Sequence, residues 1–121
     1  MSTPHLLAGL FDIALAAFHL TFWRLLGWPR GLAASGRTNA AVTQVLNAML
    51  AYVFAAFGAA LVGYASSGRT IAPIVTAIAA GFWALRTAIQ PIMFPPFAPW
   101  SIALAVTFAI GCALHVWASL A

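Results

Sequence analysis

The stretch LLAGLFDIALAAFHLTFWRLLGW, residues 6–28, decides the fold. A membrane-spanning helix needs about 20 predominantly apolar residues, and this run supplies them with only Asp12, His19 and Arg24 as ionisable exceptions. No positive segment precedes it, and it is too long for the apolar core of a secretory signal. Arg24, Arg30 and Arg37 flank its far end, which suits a span that is retained.

Three further runs qualify on the same ground: residues 39–64, 71–94 and 101–120. None alternates polar and apolar residues as a barrel strand does. The expected fold is therefore an all-α membrane protein, a bundle of four transmembrane helices in one domain over residues 1–121. Composition agrees. The chain is 64% hydrophobic and 5% charged, against roughly 25% charged in an ordinary soluble domain. A water-soluble chain of 121 residues leaves too much surface exposed to hide that apolar content, so lipid is the expected solvent.

The breaks between runs carry turn chemistry. Trp28-Pro29-Arg30-Gly31 leads to Ser35-Gly36-Arg37-Thr38, and Ser66-Ser67-Gly68-Arg69 forms the second break. Thr38 and Thr70 are expected N-caps. The third break, Phe94 to Trp100, holds Pro95, Pro96 and Pro99 and should be extended. Arginine counts set the orientation. Arg24, Arg30 and Arg37 mark the cytoplasmic end and should meet anionic lipid head groups, while Arg69 stands alone at the other. Both termini then lie outside. Trp23, Trp28 and Trp100 would belt the inner rim, Tyr64 and Trp117 the outer one. The expected location is a bacterial inner membrane. Small residues at four-residue spacing should allow close helix approach: Ala55, Ala59 and Gly63; Thr76, Ala80 and Ala84; Ala103, Thr107 and Gly111.

Ionisable groups at membrane depth are costly and so draw functional attention. Here they are Asp12, His19, Arg86 and His115, with Gln44, Asn47 and Gln90 as neutral partners. His5, Asp12 and His19 recur at a spacing that returns to nearly the same helical angle, forming one stripe. At a rise of about 1.5 Å per residue, Asp12 and His115 lie about 9 and 8 Å below the outer surface. His19, Asn47 and Arg86 lie about 12–13 Å from the inner one. The expectation is an outer layer of Asp12 with His115, and an inner layer of His19, Asn47, Arg86 and Gln90. Pro91 should free the carbonyl of Thr87 or simply kink its helix.

Two function classes follow. In the first, the layers fix helix packing in a small accessory or structural membrane subunit. In the second, an oligomeric transporter or channel subunit uses Asp12, His19, Arg86 and His115 as a proton or ion relay, since imidazole paired with carboxylate can pass protons. A ligand pocket and an intramembrane enzyme rank behind both. No HExxH, Gly-rich phosphate loop or paired carboxylates occur, and Asp12 is the sole acid. No cofactor or metal is expected: the two deep histidines differ in depth by about 12 Å, and Asp12 with His115 makes only two ligands where zinc wants three or four. Cys112, the one cysteine, reads as a small buried hydrophobe. The net charge of +4 is too dispersed for nucleic acid. The expected partners are the bilayer and either further copies of the chain or a larger membrane complex.

Overall fold

A computed structural model of the chain describes residues 2–69 and 71–121. Thr70, expected to cap a helix, lies outside them. The described residues form helices and connecting turns, with no strand among them. In order these are α1 (Thr3–Leu20), α2 (Phe22–Leu25), a 3-10 helix (Arg30–Ser35), α3 (Arg37–Ser67), α4 (Pro73–Met93) and α5 (Pro99–Leu120).

Three helical segments are long and apolar enough to cross a membrane: Thr3–Leu25, Arg37–Ser67 and Pro99–Leu120. The all-helical, membrane-compatible character expected from the sequence is thus present. α4 has a spanning length of 21 residues but is not among the three. Arg86, Gln90, Thr76, Thr87 and two prolines dilute its apolar content.

The helix ends differ from expectation for local reasons. The first run does not continue as one helix to Trp28. α1 stops at Leu20, Thr21 forms a turn, and α2 adds one further turn. Thr21 spends its own hydroxyl on the carbonyl of Phe18, 2.6 Å away. Gly27 then takes φ +64°, a conformation that only glycine adopts without strain. α3 begins at Arg37, so Thr38 sits inside its first turn rather than capping it. Gly36 accepts the first bond instead, from Ala40 N–H at 3.0 Å. α4 and α5 each start with a proline in the first turn, Pro73 and Pro99, where a missing N–H costs nothing and φ is already helical. α5 thereby begins two residues earlier than the expected start at Ser101. α4 runs on past Pro91 to Met93.

By its contacts the chain forms two compact units, Gly9–Ala60 and Met1–Ala8 with Leu61–Ala121. In the first, α3 approaches the chain of α1 closely at Gly58. A β-carbon there would lie 2.6 Å from the carbonyl oxygen of Gly9 and 2.9 Å from Ile13 Cγ1. Small residues do let helices approach here, but at Gly58 rather than at the expected Ala55, Ala59 and Gly63, all of which are exposed. The buried positions of α3 are Asn47, Ala51, Phe54, Gly58, Leu61 and Ala65. They alternate steps of four and three, the seam spacing of closely packed helices.

In the second unit, α4 packs on α5. The buried stripe of α4 is Thr76, Ala80, Trp83 and Gln90, and that of α5 is Ser101, Phe108, Gly111, His115 and Ala118. Thr76, Ala80 and Gly111 thus lie inside as expected, whereas Ala84 and Ala103 face out. A step of four residues overshoots the helical repeat of 3.6, so a strict four-residue stripe drifts off the seam. Trp83 is 2% exposed and stacks on Phe108, ring centroids 5.8 Å apart and planes 15° from parallel. Cys112 is half-buried.

Candidate functional site: two polar clusters

The first cluster lies within Gly9–Ala60 and is a consequence of the break at Thr21. When α1 ends, the carbonyls of its last turn lose their partners one turn on. At membrane depth an unpartnered carbonyl costs several kcal/mol. Asn47 Nδ2 donates to the carbonyl oxygen of His19 at 2.8 Å. The asparagine of α3 thus completes the end of α1. Three residues earlier on the same face, Gln44 accepts from Trp23 Nε1 at 3.0 Å and donates to its own helix at Ala40, 3.1 Å. The His19 imidazole bonds elsewhere: Nδ1 lies 2.7 Å from the carbonyl oxygen of Leu15. A carbonyl can only accept, so Nδ1 carries the proton. The ring is set among Phe22 and Phe54, with centroids at 5.0 and 5.3 Å.

The second cluster joins α4 to α5. Arg86 Nη1 donates to Gln90 Oε1 at 2.8 Å, and Gln90 Nε2 donates to Ser101 Oγ at 3.0 Å. Gln90 and Ser101 are both buried. The guanidinium carbon stands 4.2 Å from the Phe108 ring centroid and 5.7 Å from that of Phe94. Cations are attracted to aromatic faces, more so where water is absent. Gln90 and Phe94 both lie toward the end of α4. Arg86 therefore extends along its helix toward the proline-rich turn, as long cationic side chains do when they reach for a membrane surface. Thr87 returns its hydroxyl to the carbonyl of Trp83, 2.8 Å away.

The structure thus joins His19 with Asn47 and Arg86 with Gln90, the first pair in one unit and the second in the other. Asp12 is buried in the first unit and His115 in the second. His115 Nδ1 lies 2.8 Å from the carbonyl oxygen of Gly111, so it too carries its proton on that nitrogen. Arg24, Arg30 and Arg37 are exposed.

Sequence reasoning missed Ser101, which reads as an ordinary helix-start residue. It also missed that Asn47 serves a backbone carbonyl rather than a side chain. The signal for the latter was Thr21, a residue able to bond its own backbone in mid-run. Among the described residues no group of three or more His, Cys, Asp or Glu side chains converges as a metal site would require. Compared with protein-family models, curated proteins and solved structures, the chain gives no match. Among the described residues the geometry defines an all-helical fold with three helices long and apolar enough to cross a membrane.

Proposed function

We propose that the chain is a four-span integral protein of a bacterial inner membrane, an accessory or structural subunit whose intramembrane polar residues specify which helix packs where. The observation that carries this reading is where Asn47 and Gln90 spend their hydrogen bonds. Each amide joins two different helical segments, at 2.8 and 3.0 Å, and one of them repairs a helix end. α4 is the fourth span. Its length suffices, and Arg86 relieves the cost of its charge through Gln90 and the faces of Phe94 and Phe108. Arg24, Arg30 and Arg37 meet lipid head groups on the cytoplasmic side.

The test is a pair of measurements on one preparation. Asn47→Leu and Gln90→Leu are each expected to lower unfolding stability in detergent by about 1–2 kcal/mol. That exceeds the average of about 0.6 kcal/mol for a hydrogen bond in a membrane, because Gln90→Leu removes the amide that serves the buried Ser101 hydroxyl and Asn47→Leu the one that serves the part-buried His19 carbonyl. The wild-type protein in liposomes is expected to pass no protons at any pH. A pH-dependent proton flux, abolished by Asp12→Asn in a protein that stays folded, would replace this reading with the relay.

The number of crossings has a separate test. In a Cys112→Ala background, Ser67→Cys and Phe97→Cys place single thiols in the turns before and after α4, at exposed positions. If α4 crosses, an impermeant maleimide labels Ser67→Cys from outside and Phe97→Cys only after lysis. Labelling of both from the same side removes α4 from the set of spans.

A further inference from the structure

A cavity of about 680 Å³ lies within the second unit and is lined by none of the residues of the two polar clusters. Its walls come from the first turn of α1, the last turns of α3 and α5, and the start of α4. α1, α3 and α5 are the helices fit to cross a membrane, so the cavity opens at a membrane face whether or not α4 crosses. Ser2, His5, Tyr64 and Arg69 are its polar wall, and residues such as Ala72 and Ala118 are its apolar one. Among the described residues that line it, Arg69 is the one arginine or lysine. The guanidinium stands 5.9 Å from the centroid of the Tyr64 ring, and Ser2 Oγ shares a hydrogen bond of 2.7 Å with His5 Nδ1.

No aspartate or glutamate is among the described residues that line this cavity. Asp12 is the only acid in the chain, and it belongs to the other unit. The charge of Arg69 is thus without a carboxylate side chain to neutralise it, at a rim where lipid phosphates are the abundant anions. A guanidinium presents paired donors that match two oxygens of a phosphate. The Tyr64 hydroxyl and the His5 ring add donors to the same wall. The volume exceeds that of a bare phosphate, and the apolar wall suits the glycerol and the first methylenes of a chain.

We propose that this cavity binds the phosphate group of an anionic phospholipid, with Arg69 as its principal contact and Tyr64 and His5 beside it. The site neither uses the packing clusters nor depends on the accessory role. The experiment titrates short-chain phosphatidylglycerol, phosphatidylcholine and inorganic phosphate, separately, into the full chain in a zwitterionic detergent, with bound equivalents read by native mass spectrometry. Phosphatidylglycerol is expected to occupy one site in preference to the other two. Arg69→Gln, an exposed position, should weaken it about tenfold, the loss of one charge-assisted contact at a partly hydrated site. Ala72→Phe should also weaken it, by filling the cavity with the charge unchanged. Arg37→Gln, at the exposed start of α3 in the other unit, should leave it as it was. Unchanged affinity in both Arg69→Gln and Ala72→Phe would overturn the site. So would an equal loss in Arg37→Gln, which would mark the binding as diffuse attraction to charge. Inorganic phosphate binding as tightly as the lipid, and lost in Arg69→Gln, would overturn the lipid and leave a site for free phosphate.

Discussion

Replacing Trp83 with alanine is expected to be the most damaging single change in the chain, lowering unfolding stability by about 3 kcal/mol. Trp83 is almost wholly buried. Its ring lies against Phe108 of α5 at 5.8 Å and meets Phe82 edge-on at 5.0 Å. Truncating a buried aromatic to alanine costs about 3–5 kcal/mol in water-soluble proteins, part of it transfer and part the cavity left behind. In a membrane the transfer part shrinks, because loosened helices meet lipid rather than water. The lost dispersion contacts remain, which places the effect at the low end of that range. Phe108 also stands beside Arg86, so the damage should reach the cation's surroundings. Trp83→Phe keeps a ring on Phe108 and should recover more than half of the loss. Denaturant titration in a fixed mixed micelle gives both values. If Trp83→Ala costs less than Gln90→Leu, the α4–α5 seam is held by its hydrogen bonds and not by its rings.

Gly58→Val is expected to cost about 2–3 kcal/mol, the upper part of the range for overpacking. Glycine inside a helix is normally a weak point, and filling it with a β-carbon would gain about 0.5–1 kcal/mol. At Gly58 the sign reverses. The new β-carbon would meet the Gly9 carbonyl oxygen at 2.6 Å and Ile13 N at 3.0 Å. Both are backbone atoms of a neighbouring helix and cannot rotate away. The two helical segments must separate, which also pulls Asn47 from the His19 carbonyl. Gly63 and Gly81 have open space where their β-carbons would stand, so alanine at either should be neutral or slightly stabilising. The three variants, measured by the same unfolding assay, rank the sites. Equal effects at Gly58 and Gly63 would mean that the close approach at Gly58 does not exist in the folded protein.

The helices themselves were legible in the sequence because lipid imposes a simple rule: long apolar runs, ended by Gly, Pro and small polar residues. Gly36 and Gly68 fall in the breaks between the runs, and both take positive φ, 84° and 69°. Helix starts were less legible. Capping by threonine is a rule of water-exposed ends, and the last two long helices start on proline instead. The side chains that matter were legible as types, since Asn47, Arg86 and Gln90 stand out against an apolar background. Their partners were not. Depth along an ideal rod ranks residues by level, but a hydrogen bond also needs a helical angle and an intact rod. The turn at Thr21 breaks the rod of the first run, and Ser101, an unremarkable residue by composition, becomes the partner of Gln90. The small-residue stripes were right at Thr76, Ala80 and Gly111 and wrong elsewhere for an arithmetic reason: alanine is so common that any spacing can be found, and only the stepping of four and three follows the seam.

The division of the chain has a consequence for the order in which it is made. Gly9–Ala60 is continuous in sequence, so everything that unit needs has been synthesised once residue 60 is added, and it can close as soon as those residues emerge, while synthesis proceeds. The opposite holds for the residues before it. Ser2 N–H donates to the carbonyl of Ala65 at 3.2 Å, and the same unit includes α4 and α5, made later still. The residues before Gly9 therefore cannot meet their partner in α3 until Ala65 has been made, and their unit is whole only when α4 and α5 have followed.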